Sequence, residues 1–264
     1  MLDHAPTRSF QSTALIVGAG AVENSWTPVC RALNRHSEVP IDLDNANLFL
    51  TRTVYRMRYF SRRSDPPDSP YADQDFRATF RAIKQSIAEE LLAAEESGEL
   101  RLKNAMPFIL DRLISPKTDG FMFITTNWDR VAERQTEKLL NETQPARVAP
   151  VHIHGSIDDH EGLYLPSEVA DECYRTEAHN QRLGGRHLGL MDALESVRNL
   201  VLYGLSLSPL DAELAQFMAS GLRADVLEDI KIVAPDHQAI ASRLRMLLRD
   251  PSVQISGLDP TALQ

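Results

Sequence analysis

Cysteine is scarce: the chain has two, Cys30 and Cys173, far apart in sequence. That excludes a disulfide framework and a Cys-x-x-Cys zinc ligand pair, and it points to a reducing, cytosolic setting. Long apolar runs are missing too. None approaches membrane-spanning length, and the N-terminus, Met1-Leu-Asp-His-Ala-Pro6, lacks a basic region leading into an apolar one, so a soluble, unprocessed protein is expected. Positive charge is outnumbered, with 28 Lys and Arg against 37 Asp and Glu and a formal net charge of −9. A generic polyanion binder needs a cationic face, so nucleic acid is not the expected partner. One local exception is the run in which Arg52, Arg56, Tyr59 and Arg63 fall on one helical face. A solvated face or a subunit contact is expected there. Internal repeats and low-complexity tails are absent.

What is present suffices for a large core: 264 residues, 43% of them hydrophobic. Thr13-Ala-Leu-Ile-Val-Gly-Ala-Gly20 reads as a short buried strand ending in glycines, the first strand of a doubly wound sheet. A helix is expected at about Pro28 to His36. From about 44 to 115 the pattern is helical, with Phe76, Phe80, Ile83, Ile87 and Leu91 making one amphipathic stripe and Ser64 to Pro70 a rigid polar loop. The segment is too long for one crossover, so it reads as a helical insertion after the first strand. Strands are then expected at Phe121 to Thr125, Val148 to His154, Leu200 to Gly204, Asp229 to Ala234 and Ser252 to Ile255. Helices are expected at Asp129 to Leu140, Pro166 to Tyr174, Arg186 to Val197, Pro209 to Leu222 and Asp236 to Leu248. Such alternation implies a Rossmann-like α/β fold with a parallel sheet, read as a single domain over 1–264.

Two strand ends carry the chemistry. Phe121-Met-Phe-Ile-Thr-Thr-Asn-Trp-Asp129 and Val151-His-Ile-His-Gly-Ser156 each run from apolar residues into polar ones. If these strands are parallel neighbours, Asn127 and His154 emerge together at the carboxyl edge, where open α/β sheets bind ligands. Gly155 is expected to clear space beside the His154 imidazole. His152, two residues earlier on the same face, reads as a packing or supporting residue, and no Cys or His cluster completes a metal site. Gly18-Ala19-Gly20 can let backbone approach a phosphate, although Glu23 stands where the third glycine of the dinucleotide fingerprint would fall. In Gly204-Leu-Ser-Leu-Ser208, Ser208 can cap a helix with Pro209 and Asp211 following, which leaves Gly204 and Ser206 to meet a ligand. Ile232-Val-Ala-Pro-Asp236 could line an adenine or ribose pocket.

Taken in order, Gly18-Ala-Gly20, Thr126-Asn-Trp-Asp129, His154-Gly155, Gly204 to Ser208 and Ile232 to Ala234 resemble the succession of sites in sirtuins. They are most similar to the sirtuin-like NAD hydrolases of prokaryotic immune systems. The resemblance spans about residues 14 to 235. It implies that Gly18, Ala19 and Gly20 cradle the NAD pyrophosphate, and that Thr126, Gly204, Ser206 and Ser208 contact the nucleotide. Asn127 would orient the water or ribose, Asp129 would hold the carboxamide or anchor its loop, and His154 would act as general base. It further implies NAD as substrate, no metal, NAD depletion in anti-phage defence, and control through self-assembly or a separate sensor. The chain departs from the pattern in three places. It lacks the cysteines for the sirtuins' zinc ribbon, Val22 replaces a serine, and Val29 replaces an aspartate. The first departure shifts the expected acceptor from acyl-lysine to water. The alternatives are an NAD-dependent protein deacylase or ADP-ribosyltransferase, and a non-catalytic module that binds NAD or ADP-ribose.

Overall fold

The computed structural model describes residues 12–62, 75–114, 121–141, 149–208, 212–223, 225–248 and 250–263. Its centre is a six-stranded sheet of β1 (Thr13–Val17), β4 (Met122–Thr125), β5 (Pro150–His152), β6 (Asn199–Tyr203), β7 (Asp229–Val233) and β8 (Gln254–Leu258). Every pairing is parallel. Strands buried on both faces need no polar alternation, which is why β1 is covered along its whole length. Side chains still alternate between the two sides of the sheet. Leu15, Val17, Phe123, Val201 and Tyr203 join one core, whereas Ala14, Ile16, Ile124, Leu200 and Leu202 join the other. Each fully covered leucine or isoleucine contributes roughly 1.5–3 kcal/mol.

The spatial order is β5-β4-β1-β6-β7-β8. Counted along the chain within this sheet, that is the doubly wound Rossmann-type order, and its direction of progress reverses between β1 and β6. Ligands of such sheets sit outside the carboxyl ends of the strands at that reversal.

The first core is roofed by α1 (Thr27–Asn34), α2 (Ala46–Ser61), α3 (Phe76–Ser97) and the short α4 (Met106–Phe108), which runs into a wider helical turn at Ile109–Leu113. Asp75 caps α3 by accepting from the Ala78 amide, and Gly98 ends it in the left-handed conformation. The expected helical insertion is therefore present, but it also holds a strand. β3 (Arg101–Leu102) pairs antiparallel with β2 (Val22–Glu23), each too short for a period-two pattern to show. The expected polar loop at 64–70 and Arg63 lie outside the described residues.

Helices α5 (Val131–Asn141), α6 (Glu177–Leu194), α7 (Ala212–Gly221) and α8 (His237–Leu247) complete the alternation. Helix α6 begins nine residues before its expected start at Arg186, because Thr176 caps it by accepting from the His179 amide. The helix expected at Pro166 to Tyr174 does not form. Glu168 accepts from the Leu165 amide and Glu172 from the Val169 amide, so side chains take the backbone donors that a helix would use. The last strand starts two residues later and ends three residues later than expected; as an exposed edge strand, its apolar pattern is weak. Val148 and the Pro209-Leu210-Asp211 helix start lie outside the described residues.

Candidate active site

β4 and β5 are parallel neighbours, with Thr125 opposite His152. Two residues past each of these positions stand Asn127 and His154, both on the wall of a cavity of about 1320 Å³ along the carboxyl edge. The strand-end juxtaposition expected from sequence is thus present. Asn127 is 4% exposed, and among the described residues neither its amide nitrogen nor its carbonyl oxygen has a hydrogen-bond partner. A buried polar group left unbonded costs about 1–3 kcal/mol, so this carboxamide is held ready for something that binds.

Its backbone is fixed in contrast to its side chain. The Asn127 amide donates to Thr125 Oγ1 at 3.0 Å, and His152 Nδ1 meets the Asn127 carbonyl at 3.0 Å. A carbonyl can only accept, so His152 carries a proton on Nδ1. The other ring nitrogen faces Glu133 Oε1 at 2.9 Å. Burial pulls the ring toward neutrality, but the bond to Glu133 and its charge outweigh this and raise its pKa. The imidazolium satisfies both contacts at once. His152 therefore supports the Asn127 turn rather than reaching a ligand.

Asp129 also lines the cavity and is 3% exposed. It accepts from the Val131 amide at 3.0 Å, at the start of α5. Burial, outweighing that bond and reinforced by the charges of Glu133 and Glu95, raises its carboxyl to about 6. The bond to the Val131 amide ties the Asp129 side chain to the first turn of α5.

His154 stacks on Tyr164, with centroids 5.6 Å apart and planes at 11°. Gly155 has φ +81, and a Cβ there would stand 2.3 Å from the Gly162 carbonyl oxygen. The space that glycine leaves is taken by the returning backbone at Gly162. That approach lets the Tyr164 amide donate to the His154 carbonyl at 2.8 Å.

The two glycine loops meet at the strand-order reversal. The Gly18 amide donates to the Tyr203 carbonyl and the Gly20 amide to the Gly204 carbonyl, each at 2.9 Å. A Cβ on Gly204, whose φ is +66, would lie 2.1 Å from the Ala21 nitrogen; one on Gly20 would lie 2.8 Å from the Gly204 oxygen. Packing of loop on loop accounts for these glycines, and it commits the amides of Gly18 and Gly20. The first loop also passes through a short turn and β2 before α1, so it does not open directly onto a helix. Ala19, Gly20, Thr126, Gly204, Ser206 and Ser208 line the cavity, as do Ala234, Pro235 and Asp236 beyond β7; Gly18 does not.

No protein-family model, curated protein or solved structure matches the chain. What the site can do rests on its own geometry. Among the described residues no three His, Cys, Asp or Glu side chains form a metal-holding group, and no helix is long and apolar enough to cross a membrane.

Tyr164, His187 and Glu213 line the same cavity, and nothing in the sequence singles them out. They lie on a loop and two helices, where spacing carries no hint that they converge. One wall of the cavity, Tyr164 to Asp171, is pinned by the helical insertion. Lys84 of α3 donates to the Leu163 carbonyl and pairs with Glu168 at 3.4 Å, Arg175 pairs with Glu168 at 2.8 Å, and Arg58 of α2 pairs with Glu172. Burial alone would raise the Glu168 carboxyl, but Lys84 and Arg175 outweigh it and lower its pKa.

Proposed function

We propose that the chain is an NAD+ glycohydrolase that cleaves the nicotinamide–ribose bond on a sirtuin-like variant of the Rossmann fold. The observation that carries this reading is the buried Asn127 carboxamide, without a partner among the described residues, on the same cavity wall as His154, in a cavity that continues across the β1/β6 reversal to Ser206 and Asp236. A dinucleotide suits that length. Its nicotinamide ribose would lie between Asn127 and His154, and its phosphates would pass over Ala19, Gly20, Gly204, Ser206 and Ser208. Because the Gly18 and Gly20 amides are already bonded, the second loop would supply most polar contacts.

In the reaction, the bond between the ribose anomeric carbon and the pyridinium nitrogen breaks, and its electron pair leaves with nicotinamide. Positive charge builds on the ribose. A water positioned by Asn127 forms the new carbon–oxygen bond, and His154 takes its proton. Asp129 holds the Asn127 turn against α5 or meets the leaving carboxamide. By resemblance, the reaction would deplete NAD in anti-phage defence under control of self-assembly or a separate sensor.

The test is nicotinamide release from NAD by the full chain, alone and after co-expression with its genomic neighbours. Asn127→Ala and His154→Ala should each lower release by the active assembly at least about a hundredfold, without an acylated peptide being required. Strict dependence on such a peptide would favour the deacylase alternative. A second reading, a non-catalytic NAD or ADP-ribose module, draws on the committed Gly18 and Gly20 amides. Dinucleotide binding with no release in any assembled state would establish it.

A further inference from the structure

The part of the cavity wall formed by α6 and α7, called here its second lobe, lies away from the strand ends. Gly184, His187 and Leu188 line it from one helix, and Glu213, Gln216 and Phe217 from the other. His187 is 3% exposed, and among the described residues neither ring nitrogen makes a hydrogen bond. Its Nδ1 stands 3.4 Å from Glu213 Oε1, and Glu213 Oε2 also lacks a partner. Aromatic rings enclose the imidazole, with Phe217 at 4.6 Å, tilted, and Tyr164 at 5.5 Å, edge-on. The whole cavity, about 1320 Å³, also exceeds the roughly 300–1,000 Å³ typical of a small-molecule pocket.

We infer that this lobe is a binding subsite for a flat heterocycle bearing an exocyclic amine, the edge that adenine presents. The Glu213 carboxyl would accept from the amine, and the imidazole would meet the neighbouring ring nitrogen. Tyr164 and Phe217 supply apolar faces and edges for a planar ring. The two ring nitrogens of His187 and the Oε2 of Glu213 stand side by side, and a complementary ligand edge would satisfy them; the rest of the Glu213 carboxyl already meets the Tyr164 hydroxyl. Burial, with the nearby charge of His154, pushes His187 down to about 4, and burial holds Glu213 up at about 7. The subsite lies beyond the hydrolytic pair, with Tyr164, stacked on His154, as the link between them. A dinucleotide extended toward Ser206 and Asp236 leaves the lobe to a second nucleotide, whereas one folded back toward Tyr164 fills it with its own adenine.

Gly184 provides a clean block, because a Cβ there meets nothing within 4 Å. Titration calorimetry of the full chain with adenosine as probe tests the subsite. Wild type should bind, Gly184→Leu and Glu213→Leu should each weaken Kd about tenfold or more, and Gly184→Ala and Glu213→Gln should stay within about threefold. Gln keeps the acceptor and donor that the amino-heterocycle edge requires, and Ala shows that the helix tolerates a side chain at 184. Absence of adenosine binding by wild type, or undiminished binding by folded Gly184→Leu, overturns the subsite. Repeating the titration on Asn127→Ala in saturating NAD assigns the source. Displacement places the dinucleotide's adenine in the lobe, and continued binding places a second nucleotide there; both uphold the subsite. Loss of nicotinamide release, by contrast, would leave the adenosine result standing.

Discussion

Among the described residues, two parts of one cavity hold buried polar atoms without hydrogen-bond partners, and they differ in how they arise. At the strand edge, Asn127 follows directly from an apolar strand, and its backbone is locked by Thr125 and His152. Between the helices, His187 and Glu213 come from positions 26 residues apart on α6 and α7 and meet only when those helices pack. The first is a local device whose rigidity comes from its own turn and a neighbouring strand. The second is a tertiary one. Both share a wall, the segment from Tyr164 to Asp171, tied to the helical insertion by Lys84 and Arg58 and braced from its own C-terminal side by Arg175.

The shared wall gives the largest expected effect. Glu168 is fully buried, and its removal leaves Lys84 and Arg175 charged without their partner, so Glu168→Ala should cost about 3–5 kcal/mol in denaturant unfolding. NAD and adenosine binding should fall together. If only one falls, the two lobes do not share this support. Next comes Asn127→Ala, which should lower nicotinamide release about 10²–10³-fold. The melting temperature should hold or rise, because a buried unbonded carboxamide disappears. A large loss of stability instead would make Asn127 a structural residue and break its contrast with the backbone around it.

Asp129→Asn separates anchoring from charge. The Asp129 carboxyl sits at about 6 in the folded protein, against an ordinary 3.8. A carboxyl raised on folding favours the folded state fully only below its unfolded value, and that contribution is lost as pH rises through about 6. Asparagine keeps the cap without the charge, so it should stabilise the protein by up to about 3 kcal/mol above pH 6, with the advantage gone below pH 4. A pH-independent difference between the two proteins would refute the assignment. The smallest effect is expected at the helix pair. His187→Phe keeps the ring and removes two unbonded nitrogens, and should change stability by about 1 kcal/mol at most, in either direction. A loss of several kcal/mol would mean that the imidazole is bonded within the folded protein.

The sheet was legible because its signals are local. Thr13 to Val17, Met122 to Thr125, Asn199 to Tyr203 and Asp229 to Val233 are short apolar runs bounded by polar or glycine residues, and the helices between them carry apolar stripes. Where side chains compete for backbone donors, local pattern misleads. Glu168 and Glu172 turn an expected helix into a folded strap, and the two-residue ribbon of β2 and β3 is too short to leave a pattern.

By itself, the sequence determined the alternation of strands and helices and the placing of Asn127 and His154 just past two strand ends, since periodicity and a switch from apolar to polar are properties of adjacent residues. Tertiary structure alone decided three things. It ordered the strands so that the direction reverses between β1 and β6. It spent the Gly18 and Gly20 amides on the facing loop. It brought His187 to Glu213 beside Tyr164. Each depends on contacts between segments distant along the chain, and no spacing along the sequence encodes a distance across a packed interface.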